Sequence, residues 1–205
     1  MRSKKIYFDL DDTLVNTRET ILKRIALLLG RYPLDVDSSF VYNLLGNPER
    51  EQLLSKNKLL SQSFWSAYER LRKDITPDSF PRAKEILEGL VSEGKTIGII
   101  TNNTCLKTLE KLRAARISPS LFRGNIYSCS ENGRLKPSPD ITIHCGLGSG
   151  DFVYVGDDII DYEFARNSGA DFYGVCTREC KEGEFIKAGL SKARIFPSVR
   201  EVFQR

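Results

Sequence analysis

Lys4-Lys5-Ile6-Tyr7-Phe8-Asp9-Leu10-Asp11-Asp12-Thr13-Leu14 is an apolar run that ends abruptly in three carboxylates. Ile6, Tyr7, Phe8 and Leu10 are residue types that fill a pleated core surface, so the run reads as a short buried strand. In an open parallel α/β sheet, ligands bind in the crevice beyond the strand ends. A strand that delivers Asp9 and Asp11 there builds a site on a rigid element. Crowded acids repel one another, and burying them is costly unless a cation, donors or protons compensate. Mg²⁺ suits such a cluster, because it takes oxygen ligands and commonly bridges a carboxylate to a substrate phosphate. The plain alternative is a polar turn that caps the next helix.

The bulk properties narrow the class. The chain has 205 residues, 40% hydrophobic and 28% charged, which fits one full globular domain with a small appendage. Its longest apolar runs are too short for a membrane span, and its start lacks a signal-peptide pattern, so a cytoplasmic location is expected. A net charge of +4 suits a small anionic substrate, and no basic tract interleaved with aromatics calls for nucleic acid. The five cysteines (Cys105, Cys129, Cys145, Cys176, Cys180) are scattered without a C-x-x-C pair and read as reduced thiols.

Downstream of Leu14 the pattern turns helical. Asn16 and Glu19 resemble a capping box ahead of an apolar face of Ile21, Leu22, Ile25, Leu28 and Leu29. Helical periodicity continues to about residue 74, with Trp65 and Tyr68 at core spacing and a break at Gly46-Asn47-Pro48. Residues 16–78 therefore read as an all-helical insertion, with 1–15 and 79–205 as the core. From Pro81 onward helix and strand alternate, the signature of a mostly parallel sheet covered on both faces. Strands are expected at Thr96 to Ile100, Ile126 to Ser128, Phe152 to Val155 and Phe172 to Val175, which with the first makes five. The fold class is α/β, Rossmann-like, with a small helical domain.

Asp9 and Asp11, Thr101, Lys136 and Asp157 all fall where a strand finishes or a helix begins, and a parallel sheet gathers such loops at one edge. Phosphoryl transfer needs that set. Asp9 can attack phosphorus, and Asp11 can protonate the leaving alcohol and then deprotonate water. The Asp9 carboxylate, the Asp11 backbone carbonyl and Asp157 can hold Mg²⁺. Thr101, with backbone N–H groups near Asn102, can cradle phosphate oxygens, or Thr101 can simply cap the helix. Lys136 supplies fixed positive charge, unless it is a solvated loop lysine. Asp161 is spaced to orient a metal-bound water, and Asp158 either assists or is a helix N-cap. Asp12 has no assigned chemistry and is expected to tolerate substitution best. His144 reads as structural.

In this light the chain resembles the haloacid dehalogenase superfamily of phosphohydrolases. Phe8 through Leu14 looks like its first motif, Ile100-Thr101-Asn102 its second, Lys136-Pro137 its third and Gly156-Asp157-Asp158 with Asp161 its fourth. The resemblance implies a Rossmann-like core, Asp9 as nucleophile, Asp11 as acid/base, Mg²⁺ as cofactor and a helical cap inserted after the first motif. It also implies the phosphoglycolate phosphatase-like and β-phosphoglucomutase-like branch. Asp11 favours phosphate-ester hydrolysis over dehalogenation. Gly156, where mutase-like relatives carry a second acid, favours a phosphatase acting on a small phosphorylated metabolite over a phosphomutase; a non-catalytic phosphate-binding or regulatory protein on this fold is the remaining alternative. The Gly46-Asn47-Pro48-Glu49-Arg50 break resembles the cap's substrate-facing loop, where Arg50 either clamps a distal anionic group or is a surface arginine at a helix start, and Arg178, after the fifth strand, is a further candidate phosphate contact open to the same plain reading. The stretch from Pro139 to Ser149 makes a short helix for a cap-bearing relative.

Overall fold

At the middle of the fold lies β1 (Lys5–Phe8), hydrogen-bonded on both sides in a computed structural model that describes residues 5–31, 40–41, 62–177 and 181–204. The remaining strands are β2 (Ile97–Thr101), β3 (Ile126–Ser128), β4 (Phe152–Gly156), β5 (Asp171–Val175) and β6 (Ile195–Phe196). Their order is β3-β2-β1-β4-β5-β6, and every pairing is parallel. Among the described residues the sheet thus has six strands where five are expected. The extra strand, β6, is two residues long and gives no period-2 signal.

Alternation along β1 sets the two layers, since successive side chains leave a strand on opposite faces. Ile6 and Phe8 join one buried cluster with Leu87, Leu90, Leu112, Val155, Val175 and Val199. That face is covered by α3 (Ala83–Ser92), α4 (Cys105–Ala114) and α8 (Val199–Phe203). Tyr7 joins the other cluster with Ile100, Phe152, Tyr154, Phe164, Phe172 and Phe185. Here α5 (Ile141–His144), α6 (Ile159–Asn167) and α7 (Lys181–Lys187) provide the cover. Tyr7 pairs with Gly98, and a Cβ on Gly98 would meet the Tyr7 ring at 2.2 Å, so a glycine is needed there.

The expected helix from Pro139 to Ser149 shrinks to the four residues of α5. Thr101 does not cap α4. It is the last residue of β2, and Thr104 accepts the N-cap bond from Lys107 N.

The chain forms two compact units, one of residues 1–16 and 78–205 and a second of 17–77. In the second, α1 (Thr17–Arg31) and α2 (Gln62–Asp74) share a core of Ile25, Leu28, Phe64, Tyr68 and Leu71. Trp65 packs edge-on against Tyr68 at 5.9 Å, in keeping with core spacing. Arg24 Nε donates to the Ile75 carbonyl at 2.8 Å, so its charge leaves the core paired. In the first unit the two chain crossings run side by side, with Asn16 N donating to Asp78 O and Phe80 N to Leu14 O. No helix among the described residues is long and apolar enough to cross a membrane.

Candidate active site

Register brings the acids together. Phe8 pairs with Val155 on one side and Ile99 on the other, so β1, β4 and β2 finish within two residues of one another. Asp9 N donates to Val155 O at 2.8 Å, which seats Asp9 beside the Gly156-Asp157 loop. This is also where the strand order reverses direction, the place a ligand crevice opens in such sheets.

Carboxylate oxygens of Asp9, Asp157 and Asp161 lie within 4.8 Å of one another, and all three residues are buried. Lys136 is buried among them with three partners for its three protons. Its Nζ donates to Asp9 Oδ1 at 2.6 Å, Asp161 Oδ1 at 2.7 Å and Tyr154 Oη at 2.9 Å. Tyr154 Oη itself donates to Ile100 O at 2.7 Å, so its lone pairs are left for the ammonium. Lys136 is not a solvated loop lysine.

The electrostatics follow from that burial. Removal from water raises the Asp9 pKa well above the ordinary value; Lys136 opposes this, while Asp161, Asp11 and Asp157 reinforce it. Burial works against the Lys136 ammonium, yet the attraction of Asp161 and Asp9 outweighs it and raises its pKa. Burial also raises the Tyr154 phenol, which therefore stays neutral. Three buried carboxylates against one ammonium leave a deficit of positive charge, and hard oxygen donors at this spacing fit a divalent cation such as Mg²⁺. Asp9 and Asp157 are the acids suited to hold it. Asp161 is committed elsewhere: Oδ1 accepts from Lys136, and Oδ2 accepts from Asp158 N at 3.1 Å.

Asp158 is the N-cap of α6, its Oδ1 accepting from Ile160 N at 3.2 Å, and Lys181 Nζ lies 2.5 Å from Oδ2. Gly156 is required by the same packing, since an added Cβ would lie 2.5 Å from Asp161 side-chain atoms. Asn102 meets the Lys136 backbone rather than offering its amide to solvent: Oδ1 accepts from Lys136 N at 2.8 Å and Nδ2 donates to Lys136 O at 3.2 Å. Thr101 Oγ1 accepts from Asn103 Nδ2 at 2.9 Å. Asp11 stands apart from the acid triad, gripped by Lys111 and Asn103.

Asp12 is more constrained than its lack of chemistry suggests. It is buried at φ 55°, its N–H donates to Val15 O at 2.8 Å, and its carbonyl accepts from Thr177 Oγ1 at 3.0 Å. Arg50 and Arg178 lie outside the described residues, as does the Gly46-Asn47-Pro48 break. His144 is exposed and touches Arg134; Cys129 and Cys145 are buried, and Cys105 and Cys176 half-buried.

Thr13, Asn103, Lys111 and Tyr154 belong to the site but carry no role in the sequence reading. Thr13, which donates to Asp157 Oδ1 at 3.3 Å, lies within the Phe8–Leu14 stretch and Asn103 directly follows Ile100-Thr101-Asn102, so both carry a local sequence signal. Tyr154 looks like any strand aromatic, and Lys111 like any lysine on an amphipathic helix.

A model of the haloacid dehalogenase-like hydrolase family matches residues 6–175. No curated protein matched the sequence. Among solved structures, the chain is similar to a HAD family hydrolase from Deinococcus radiodurans R1 that contains bound phosphate and sodium. That pair has 22% identity and a TM-score of 0.79, over 97% of this chain and 93% of the other. It is also similar to a candidate β-phosphoglucomutase from Thermotoga maritima, at 19% identity and a TM-score of 0.79, over 98% of this chain and 97% of that one. A predicted phosphoglycolate phosphatase from Haemophilus somnus 129PT has 21% identity and a TM-score of 0.72, over 100% of this chain and 98% of its own. At such identities the likeness is one of fold. The family match spans most of the sequence and takes in all four loops of the site, and on that ground the chain belongs to the haloacid dehalogenase-like hydrolase family.

Proposed function

We propose that this protein is a Mg²⁺-dependent phosphatase that hydrolyses a small phosphorylated metabolite through an aspartyl-phosphate on Asp9. The observation that carries the reading is the buried Lys136 ammonium between Asp9 and Asp161, at 2.6 and 2.7 Å. A fixed cation bonded to one oxygen of a strand-end carboxylate supports nucleophilic attack by the other.

With Oδ1 held by Lys136, Asp9 Oδ2 attacks phosphorus and the ester P–O bond breaks. Asp11 gives its proton to the departing alkoxide. A water then attacks the acyl phosphate, Asp11 takes the water's proton, and Asp9 is regenerated as inorganic phosphate leaves. Lys136 stabilises charge on the transferring group, and the Thr101 hydroxyl with the backbone N–H groups after it contacts phosphate oxygens. Asp9, Asp157 and the Asp11 backbone carbonyl would hold Mg²⁺, which would supply charge neutralisation between the two anions and favour ionised Asp9. Asp161 and Asp158 organise the start of α6 behind that loop. On this reading the helical unit at 17–77 is the cap domain of the family.

The alternative is a phosphomutase, in which phosphate returns from Asp9 to substrate. The absence of room for a side chain at Gly156 favours the phosphatase. Mg²⁺-dependent phosphate release from an aryl phosphate, with Asp9→Asn as control, tests the reading. Release is expected from the wild type alone. No release sinks the phosphatase, unchanged release from Asp9→Asn sinks the nucleophile, and an isomerised sugar phosphate without net phosphate loss moves the assignment to a mutase.

A further inference from the structure

Asp11 is held by two groups of the β2–α4 segment. Lys111 Nζ donates to Asp11 Oδ1 at 2.6 Å, and Asn103 Nδ2 donates to Asp11 Oδ2. Lys111 Nζ also reaches Asn103 Oδ1 at 3.1 Å, so the three side chains close a ring. Asn103 is tied in turn to Thr101 Oγ1 at 2.9 Å. The Lys111 and Asp11 side chains are 21% and 30% exposed. An ion pair that wet adds little to stability, on the order of 1 kcal/mol or less, and ordering a lysine side chain costs rotamer entropy. A fold gains little from this ring. A carboxylate that must present one oxygen to a departing alkoxide gains orientation, and misplacement of a reacting group by about 1 Å can cost on the order of 10² in rate.

We infer that Lys111 and Asn103 are positioning residues that fix the Asp11 carboxylate for proton transfer to the leaving oxygen. This rests on the phosphatase reading above. The proton balance is internal: Asp11 loses its proton to the ester oxygen as the P–O bond breaks and regains one from the attacking water. Neither clamp residue gives up a proton. A carboxylate oxygen accepts at two lone pairs, so a donor on each oxygen does not bar the proton.

The consequence is a dependence on the leaving group. A nitrophenolate departs with little protonation, whereas a phenolate or alkoxide needs the acid. The test is kcat/KM of the full chain with Mg²⁺ on p-nitrophenyl phosphate and on unsubstituted phenyl phosphate. Lys111→Met and Asn103→Ala are expected to lose no more than about threefold on the first and about tenfold more than that on the second, short of the roughly 10²- to 10⁴-fold that loss of the general acid itself would cost. Lys111→Arg is expected to recover most of the loss, and Lys107→Met, exposed on the same helix, to change neither. Circular dichroism confirms that each variant is folded, and Asn103→Ala reads the clamp independently should Lys111→Met unfold. Equal losses on both substrates, or faster turnover once the clamp is cut, would overturn the inference. A wild-type protein without Mg²⁺-dependent release instead overturns the phosphatase reading and takes this one with it.

Discussion

Asn102 binds the backbone of Lys136 at both ends, accepting from its N–H at 2.8 Å and donating to its carbonyl at 3.2 Å across 34 residues of sequence. The side-chain amide stands in for a neighbouring strand and fixes the peptide from which the lysine reaches Asp9. Asn102→Ala is therefore expected to lower kcat by about tenfold or more and to destabilise the fold by about 1–2 kcal/mol. Asn102→Asp keeps the acceptor but sets a carboxylate against the Lys136 carbonyl, and it should be worse. Steady-state kinetics with urea unfolding checks both; full kcat in Asn102→Ala would remove the strut from the account.

Lys136 is almost fully buried, its side chain 4% exposed. Lys136→Met strands Asp9 and Asp161 without their cation, at a cost of about 3–5 kcal/mol. Pairing it with Asp161→Asn removes one of the stranded charges. The double variant should therefore be more stable than the sum of the two single losses. The coupling energy from chemical denaturation measures this.

Gly156→Ala places a Cβ 2.5 Å from Asp161 atoms that Lys136 and the α6 N-terminus both use. Overpacking of about 1–3 kcal/mol is expected, and activity should fall with it because Asp161 must move. Thermal unfolding and phosphate release, measured on one preparation, should decline together.

Asp12 separates backbone from chemistry. At φ 55° it occupies the left-handed region, which glycine and asparagine tolerate and β-branched residues do not. Asp12→Asn and Asp12→Gly should stay within about 1 kcal/mol of wild type, whereas Asp12→Val should lose about 2 kcal/mol or more. A Val variant as stable as the Asn variant would show that the conformation carries no strain.

Mg²⁺ and pH should act together. Burial, reinforced by Asp161, Asp11 and Asp157, holds the Asp9 pKa well above 3.8 in the metal-free fold. Above that ordinary value the unfolded chain releases the proton that the folded chain keeps, so metal-free stability falls as pH rises, until the folded pKa is passed. The cation requires ionised Asp9, so its binding pays back this penalty most where the penalty is largest. The rise in Tm on adding Mg²⁺ should be greater at about pH 8 than at about pH 5. A pH-independent shift would place the ion elsewhere.

Much of this was legible in the chain. The strand Ile6 to Phe8, the acids beyond it and the Gly156-Asp157 loop announce themselves, because strand ends and turns impose local demands that show in neighbouring residues, whereas Thr101 and Lys136 stand out only by their order along the chain. A parallel sheet then gathers those ends without further instruction. Other features left no local trace. The two-residue β6 is too short for periodicity. Thr104, not Thr101, caps α4, because Thr101 is spent on the last position of β2. Asp161 looks like an outer acid by spacing, but its tie to Lys136 depends on how β4 and α6 pack.

The sequence by itself determined that a hydrophobic strand ends in carboxylates and that helices and strands alternate after it, since both are written in the periods of apolar and polar residues. Only the tertiary structure decided which cation meets which acid. Lys136 reaches Asp9 across 127 residues and Lys111 reaches Asp11 across 100, and such pairings depend on strand register and helix rotation. Those are fixed by burial of the whole core, not by any residue's neighbours in the chain.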